Sequence, residues 1–285
     1  MNTIASHPFK TNSAIYIHSF EPIWIDYGVF QRLPNPGEDI YCDNLNFRFG
    51  LGYNLTRWLS KLEVPALFSL HFSEEIFRNL AIQQAYQDGL EKYIIHSDQC
   101  FPASLAVSAP LKSGEQKLIL VNPPRQVDAT TFCSSVPDDS WLVLVDWKPD
   151  NGLEQVFETC RDKNVHVCLG LPWHEEVPVD RIDLELLLKK QSPVEMVFTY
   201  SPAYLPMSLL AVYDEAIQAV RDSIPVMILA HRDNAMVLHT EKEWQAEPKT
   251  GLNQHDQLSC LLTAFLKARS GGLSIEESLT YTQFR

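Results

Sequence analysis

The sequence predicts an α/β fold: a three-layer α/β/α sandwich around a mostly parallel sheet, with a small β lid formed by the N-terminal third. Three observations carry this expectation. From about residue 140, short apolar runs rich in β-branched residues recur at WLVLVDW (141–147), VHVCLGL (165–171), VEMVFTY (194–200) and PVMILAH (225–231). Helix-length segments with apolar spacing of three and four separate them. Strands that are apolar throughout and alternate with helices belong to a parallel sheet covered on both faces. The front third instead holds strand-like runs joined by the turn-rich PNPGE, with only partial alternation.

In chain order, IYIHSF, PIWIDYGVF and DIYCDNLNFRF read as early strands. Leu51, Leu55, Trp58, Leu59 and Leu62 then trace one face of a helix opening just after Gly52. LSKLEVPALFSLHF and QKLILV supply further strand material, and lid strands are expected within about 15–50 and 94–121 of a single domain spanning 1–285. Leu153, Val156, Phe157 and Cys160 mark a helix, RIDLELLLKK a second, and Leu209, Val212, Tyr213, Ala216 and Val220 a third. In the last long helix Leu258, Leu261, Leu262 and Phe265 make the buried stripe, and Gly271 and Gly272 stop it. Ser274 and Glu277 then form a capping box that starts a short final helix.

Composition narrows the function classes. Hydrophobic residues at 45% and charged residues at 21% are ordinary for a soluble globular protein. No apolar run approaches the ~20 residues needed to span a bilayer, and the first twenty residues lack the pattern of a signal peptide. Six cysteines without a C-x-x-C pair read as reduced thiols of a cytoplasmic protein. A formal net charge of −13 disfavours nucleic acid and anionic membrane as partners.

Two segments could carry chemistry. In RFGLGYNLTRWL, Gly50 and Gly52 permit a tight turn and close approach of a ligand, and Asn54 offers both a donor and an acceptor. A dinucleotide fingerprint is absent. In GLNQHDQLSCLLTAFLKA, Asp256 stands at the start of an apolar helix. A carboxylate there either stabilises the helix or takes a proton from a substrate hydroxyl. His166, Cys168 and His174 lack the spacing of a zinc site, and no metal-binding set is expected. Neither a G-x-S-x-G elbow nor a Walker A loop occurs.

The order of these motifs resembles the ribokinase (PfkB) family of carbohydrate and nucleoside kinases. Members carry P-x-P-G-E before the lid strands, G-G-x-G-x-N at the helix that meets the sugar, and D-T-x-G-A-G-D near the C-terminus. Here PNPGE is intact, Gly50, Gly52 and Asn54 match the second motif with Phe49 in place of its first glycine, and Asp256 falls at the base position. The resemblance implies a ribokinase-like fold and transfer of the ATP γ-phosphate, with Mg2+, onto a sugar or nucleoside hydroxyl. It makes Asp256 the catalytic base and gives Gly50, Gly52 and Asn54 to the acceptor. An acidic residue holding sugar hydroxyls would fall near Asp26, for which an exposed strand carboxylate is the plain alternative. A homodimer through the lid is also implied.

The departures lie on the nucleotide side. Asn253, Gln254 and His255 replace the glycines of the phosphate anion hole, where backbone amides approach the transferring group. TYSPAYLP stands where N-x-x-E should organise magnesium, and AHRDNA stands where T-x-G-x-x-G should line the nucleotide. Asn151 to Glu154 fits N-x-x-E two strands too early. Only SIEESLTYTQFR follows the base helix and its glycine stop. Phosphoryl transfer depends on positioning and on stabilising the phosphate charge, so two expectations stand together: a ribokinase-like kinase of weak activity, or a catalytically impaired pseudokinase that binds a ligand or a protein.

Overall fold

A computed structural model of the chain describes residues 14–21, 23–27, 45–101, 105–110, 116–121, 133–146, 153–170, 193–200, 225–230, 235–239, 242–246 and 254–283. Two sheets organise these residues. The strands are β1 (Ile15–Ser19), β2 (Ile23–Tyr27), β3 (Leu45–Arg48), β4 (Ala66–Phe72), β5 (Ile94–Phe101), β6 (Leu105–Pro110), β7 (Gln116–Val121), β8 (Trp141–Val145), β9 (His166–Gly170), β10 (Val194–Tyr200), β11 (Val226–Ala230), β12 (Ala235–His239) and β13 (Lys242–Ala246). The described helices are α1 (Gly50–Lys61), α2 (Glu75–Gln87), α3 (Leu153–Asp162), α4 (Gln254–Ser270) and α5 (Ile275–Gln283).

The main sheet runs β13-β12-β11-β10-β9-β8-β1-β4-β5. From β11 to β5 every neighbouring pair is parallel, and β12 and β13 close one edge as an antiparallel hairpin. The second sheet runs β3-β2-β6-β7. It is built from β2, β3, β6 and β7. β1 and β5, which fall within the ranges expected for lid strands, lie in the main sheet instead, and in β1 Ile15, Tyr16 and Ile17 are buried in succession. A strand buried on both faces needs a layer on each side.

One face of the main sheet carries an extended apolar cluster. Ile15, Ile17, Phe68, Val143 and Phe198 point into it, with Leu51, Leu55 and Leu59 of α1 and Leu258, Leu262 and Phe265 of α4. The alternate strand residues Tyr16, Leu67, Leu142, Leu144 and Leu169 are buried too, as are Val156, Phe157 and Cys160 of α3. The capping box is present: Ser274 N–H donates to Glu277 Oε2 at 2.9 Å, and Glu277 N–H donates to Ser274 Oγ at 3.3 Å. The expected helices at RIDLELLLKK and at 209–220 fall outside the described residues. No described helix is long and apolar enough to cross a membrane.

A second network fastens the N-terminal ends of the strands. Glu195, near the start of β10, bonds Arg269 of α4 through both Nη2 (2.7 Å) and Nε (3.1 Å). The same carboxylate meets His166 Nδ1 at 2.5 Å. Trp141 stacks on His166 and lies under the Arg269 guanidinium. His166 and Cys168, which lack the spacing of a zinc site, both lie in β9. His166 serves this ion pair, while burial pushes the Cys168 thiol up. His174 lies outside the described residues.

Candidate functional site

Strand order reverses at β1: the chain adds β4 and β5 on one side and β8 to β11 on the other. In open α/β sheets such a reversal leaves a crevice beyond the carboxyl ends of the strands, where ligands bind. Two buried carboxylates stand there. Glu21 follows β1 and is 7% exposed, and Asp146 follows β8 at 4%. Asp146 holds φ +56°, a left-handed conformation that Asp tolerates better than most residues.

Glu21 is joined to the glycine turn of α1. Its Oε2 accepts the Gly52 N–H at 3.1 Å and the Ser19 hydroxyl at 3.0 Å. The first amides of a helix have no intrahelical partner and carry partial positive charge, so a carboxylate from another element can cap them. The helix accordingly opens at Gly50, three residues before the expected start. Gly50 adopts φ +74°, and a Cβ placed on it would come within 2.4 Å of Glu21 Oε2. A Cβ on Gly52 would come within 2.6 Å of the Ser19 Cβ. Both glycines are therefore required by the carboxylate and strand that press against them. Burial, and then the nearby Asp146 carboxylate, push the Glu21 carboxyl up to about 7, against bonds from Gly52 and Ser19 that lower it.

On the outer side of this turn lies a cavity of about 260 Å³. α1 presents Gly50, Tyr53, Asn54 and Arg57 to it, a stripe at the helical spacing of three and four. Trp24 of β2 and Arg48 of β3 face them from the second sheet, with the Arg48 guanidinium 5.6 Å from the Trp24 ring centre. Gln84 and Asp88 close the end beside α2. Asp88 Oδ2 accepts the Tyr53 hydroxyl at 2.8 Å and the Gln84 amide at 3.2 Å. Burial and this carboxylate raise the Tyr53 hydroxyl well above its ordinary range.

Of the residues singled out in the sequence, Gly50 and Asn54 line this cavity, and the Gly52 N–H is bonded to Glu21. Asp26 lies in β2, paired with Asn46 in β3 and Ser108 in β6. Gln254, His255 and Asp256 form the first turn of α4, and Asn253 lies outside the described residues. Residue types with side chains thus stand at the opening of α4, and among the described residues no cluster of His, Cys, Asp or Glu could hold a metal.

A buried pair of histidines flanks β1 on its other face. His18 Nδ1 and His71 Nε2 are 3.2 Å apart, with the rings stacked. Burial first, and His71 second, hold His18 well below the usual histidine range. Glu21, Asp146 and this pair escaped the sequence reading. The available signal was a lone acidic residue in the otherwise apolar SFEPIWI, directly after a strand.

A parallel sheet with its reversal at β1, a glycine turn opening the helix after the lid strands, and a four-stranded second sheet define a ribokinase-like α/β fold. The chain is similar over 95% of its length to the ribokinase of Arabidopsis thaliana complexed with ribose and ATP, covering 90% of that chain with a TM-score of 0.68 at 17% identity. It is similar to the phosphofructokinase-2 of Escherichia coli in complex with fructose-6-phosphate (TM-score 0.64, 14% identity, 95% and 91% covered). The ribokinase of Giardia lamblia matches with a TM-score of 0.66 at 11% identity, 95% and 91% covered. At these identities the likeness is one of fold. No protein-family model matches the chain, and no curated protein matches it in sequence.

Proposed function

We infer that the protein is a catalytically impaired, ribokinase-like binding protein: it holds a small polyhydroxylated ligand between α1 and the second sheet, and moves phosphate from ATP slowly or not at all. The observation that supports this most is the Glu21 carboxylate, which takes the Gly52 N–H and fills the space beside Gly50. In an active kinase the resemblance gives those groups to the acceptor. Asn, Gln and His at 253–255 point the same way, because an anion hole needs backbone amides at close range, and losing one such donor lowers rate by roughly 10²–10³. A cytoplasmic location and a homodimer through the second sheet belong to this reading.

The second reading is a working sugar or nucleoside kinase using ATP and Mg2+. In its favour, Asp256 lies in the first turn of α4, where a base could take the acceptor hydroxyl proton while helix amides face the phosphate. Gly50, Gly52, Asn54 and Asp26 would position the acceptor.

Calorimetry with Mg-ATP and AMP-PNP, followed by coupled ADP release with ribose and fructose 6-phosphate, separates the two. The expected result is sugar binding without ADP release attributable to Asp256. Turnover that Asp256→Asn abolishes would overturn the first reading in favour of the kinase.

A further inference from the structure

Glu21 is an unusual cap for α1. A helix is ordinarily capped by a short polar side chain at its own first position, yet Phe49 stands there and makes no side-chain capping bond. The acceptor for the Gly52 N–H comes instead from Glu21, 31 residues earlier in the chain. Its side chain is buried, and Oε1 has no hydrogen-bond partner among the described residues. Asp146, at the end of β8, is buried as well and places a second carboxylate close enough to act on it. Capping needs neither that charge nor that burial, and a buried carboxylate with an unbonded oxygen is costly. The surroundings nevertheless suit a carboxyl group. The Gly52 N–H and the Ser19 hydroxyl converge on Oε2 at 3.1 and 3.0 Å. Gly50, at φ +74°, leaves space beside it where a Cβ would force the group to shift.

We propose that the opening turn of α1 is a binding site for a carboxyl group, occupied in this chain by its own Glu21, which bars external ligands from the inner side of the turn. The site consists of the Gly52 N–H, the Ser19 hydroxyl and the space beside Gly50. Its donors belong to α1 and β1, and sites on such elements keep their geometry when the group filling them is removed. An internal carboxyl competes at a high effective concentration, so a free acid does not displace it. The helix N-terminus favours a charged guest, while burial and Asp146 favour a protonated one. Ser19 and Gly52 present neutral donors, and Asp146 is the charged group that acts on the position. The assignment rests on the reading above, that the glycine turn is closed to an acceptor, and names the group that closes it.

Glu21→Ala removes as many heavy atoms as one acetate ion contains. The full chain is melted as wild type, Glu21→Ala and Glu21→Gln in sodium acetate or formate, with sodium chloride at equal ionic strength as reference. Exchange of the Gly52 amide, followed by NMR, is the second readout. In Glu21→Ala, acetate and formate should raise Tm saturably above chloride and restore protection of the Gly52 amide. Wild type and Glu21→Gln, whose sites are filled, should respond to all three salts alike. A guest in the Glu21 position should also titrate near its value of about 7, well above a free acid, so acetate should bind about tenfold tighter at pH 6 than at pH 8. Adding Ser19→Ala should weaken acetate by about three- to tenfold, the effect of one hydrogen bond. If Glu21→Ala is unfolded in chloride, refolding in acetate, read by circular dichroism, supports the site equally. No difference between acetate and chloride, whether the variant is folded or unfolded, overturns the proposal. An equal acetate response in wild type marks an adventitious anion effect only and overturns it too. Sugar titration of the wild type judges the binding reading alone, so the two failures are told apart.

Discussion

The Glu21 carboxylate and Gly50 press on each other: a Cβ at Gly50, already strained at φ +74°, would stand 2.4 Å from Glu21 Oε2 and force the carboxylate to shift. The glycine turn and the carboxylate thus form one unit, and its titration should be visible in stability. Burial and Asp146 raise the Glu21 carboxyl from 4.5 to about 7. The folded protein therefore binds more protons than the unfolded chain between those values, and stability from this group falls as pH rises through that window. The full shift corresponds to about 3 kcal/mol. Glu21→Gln should accordingly leave the protein more stable than wild type at pH 8, by about 1–3 kcal/mol, with little gain at pH 4.5. Urea midpoints at the two pH values check this, and a variant less stable at pH 8 would show that the Gly52 bond outweighs the buried charge.

Histidine 18 carries the opposite sign. Burial and His71 lower its pKa below 6.5, so its contribution is complete above that value and is lost as pH falls toward the folded pKa. In the Glu21→Gln background, where the opposing carboxyl is silent, stability should drop on acidification below 6.5. Its ring resonances should not titrate between pH 8 and 6. An ordinary titration near 6.5 would contradict the buried pair.

Two glycines give a matched comparison. Gly52→Ala drives a Cβ into Ser19 Cβ at 2.6 Å and the Phe68 ring at 3.0 Å, an overpacking that costs about 1–3 kcal/mol. Gly89→Ala meets nothing within 4 Å but holds φ +68°, so only backbone strain of about 1 kcal/mol is expected. Denaturation midpoints should fall further for Gly52→Ala, and the Gly52 variant alone should also disturb the Glu21 titration.

The Glu195 network should show a third pH signature. Burial raises this carboxyl, but the bonds from His166 and Arg269 outweigh burial and hold it below 4.5. Its contribution is present above 4.5 and is lost as pH falls below that value. Glu195→Gln should lower stability at pH 7 by about 2–3 kcal/mol, since it leaves Arg269 without its charged partner. The difference from wild type should shrink toward pH 3. Thermal melts across that range decide it.

The parallel strands were legible because each is apolar on both faces, and the final helices because Gly271, Gly272 and the Ser274–Glu277 box punctuate them. α2 was not: Ile76, Ile82 and Tyr86 are exposed, which blurs the apolar period on which helix reading depends. The β12–β13 hairpin was also missed. Its register pairs His239 with Lys242, and its sequence carries no Asn-Gly or Asp-Gly, the signal by which a two-residue hairpin turn is read. At the site, Gly50 and Asn54 were legible through a motif of local spacing. Glu21 and Asp146 were not, because their meaning arises only when β1 and β8 lie side by side.

The contact among Glu195, Arg269, His166 and Trp141 sits at the opposite end of the strands from Glu21 and the cavity. The two ends can therefore change independently. A chain fastened in this way can replace the residues of its chemical rim one after another while the frame keeps its shape, and each replacement is tested by ligand alone. Such a frame can outlive the reaction once performed on it, and serve as the starting point for another.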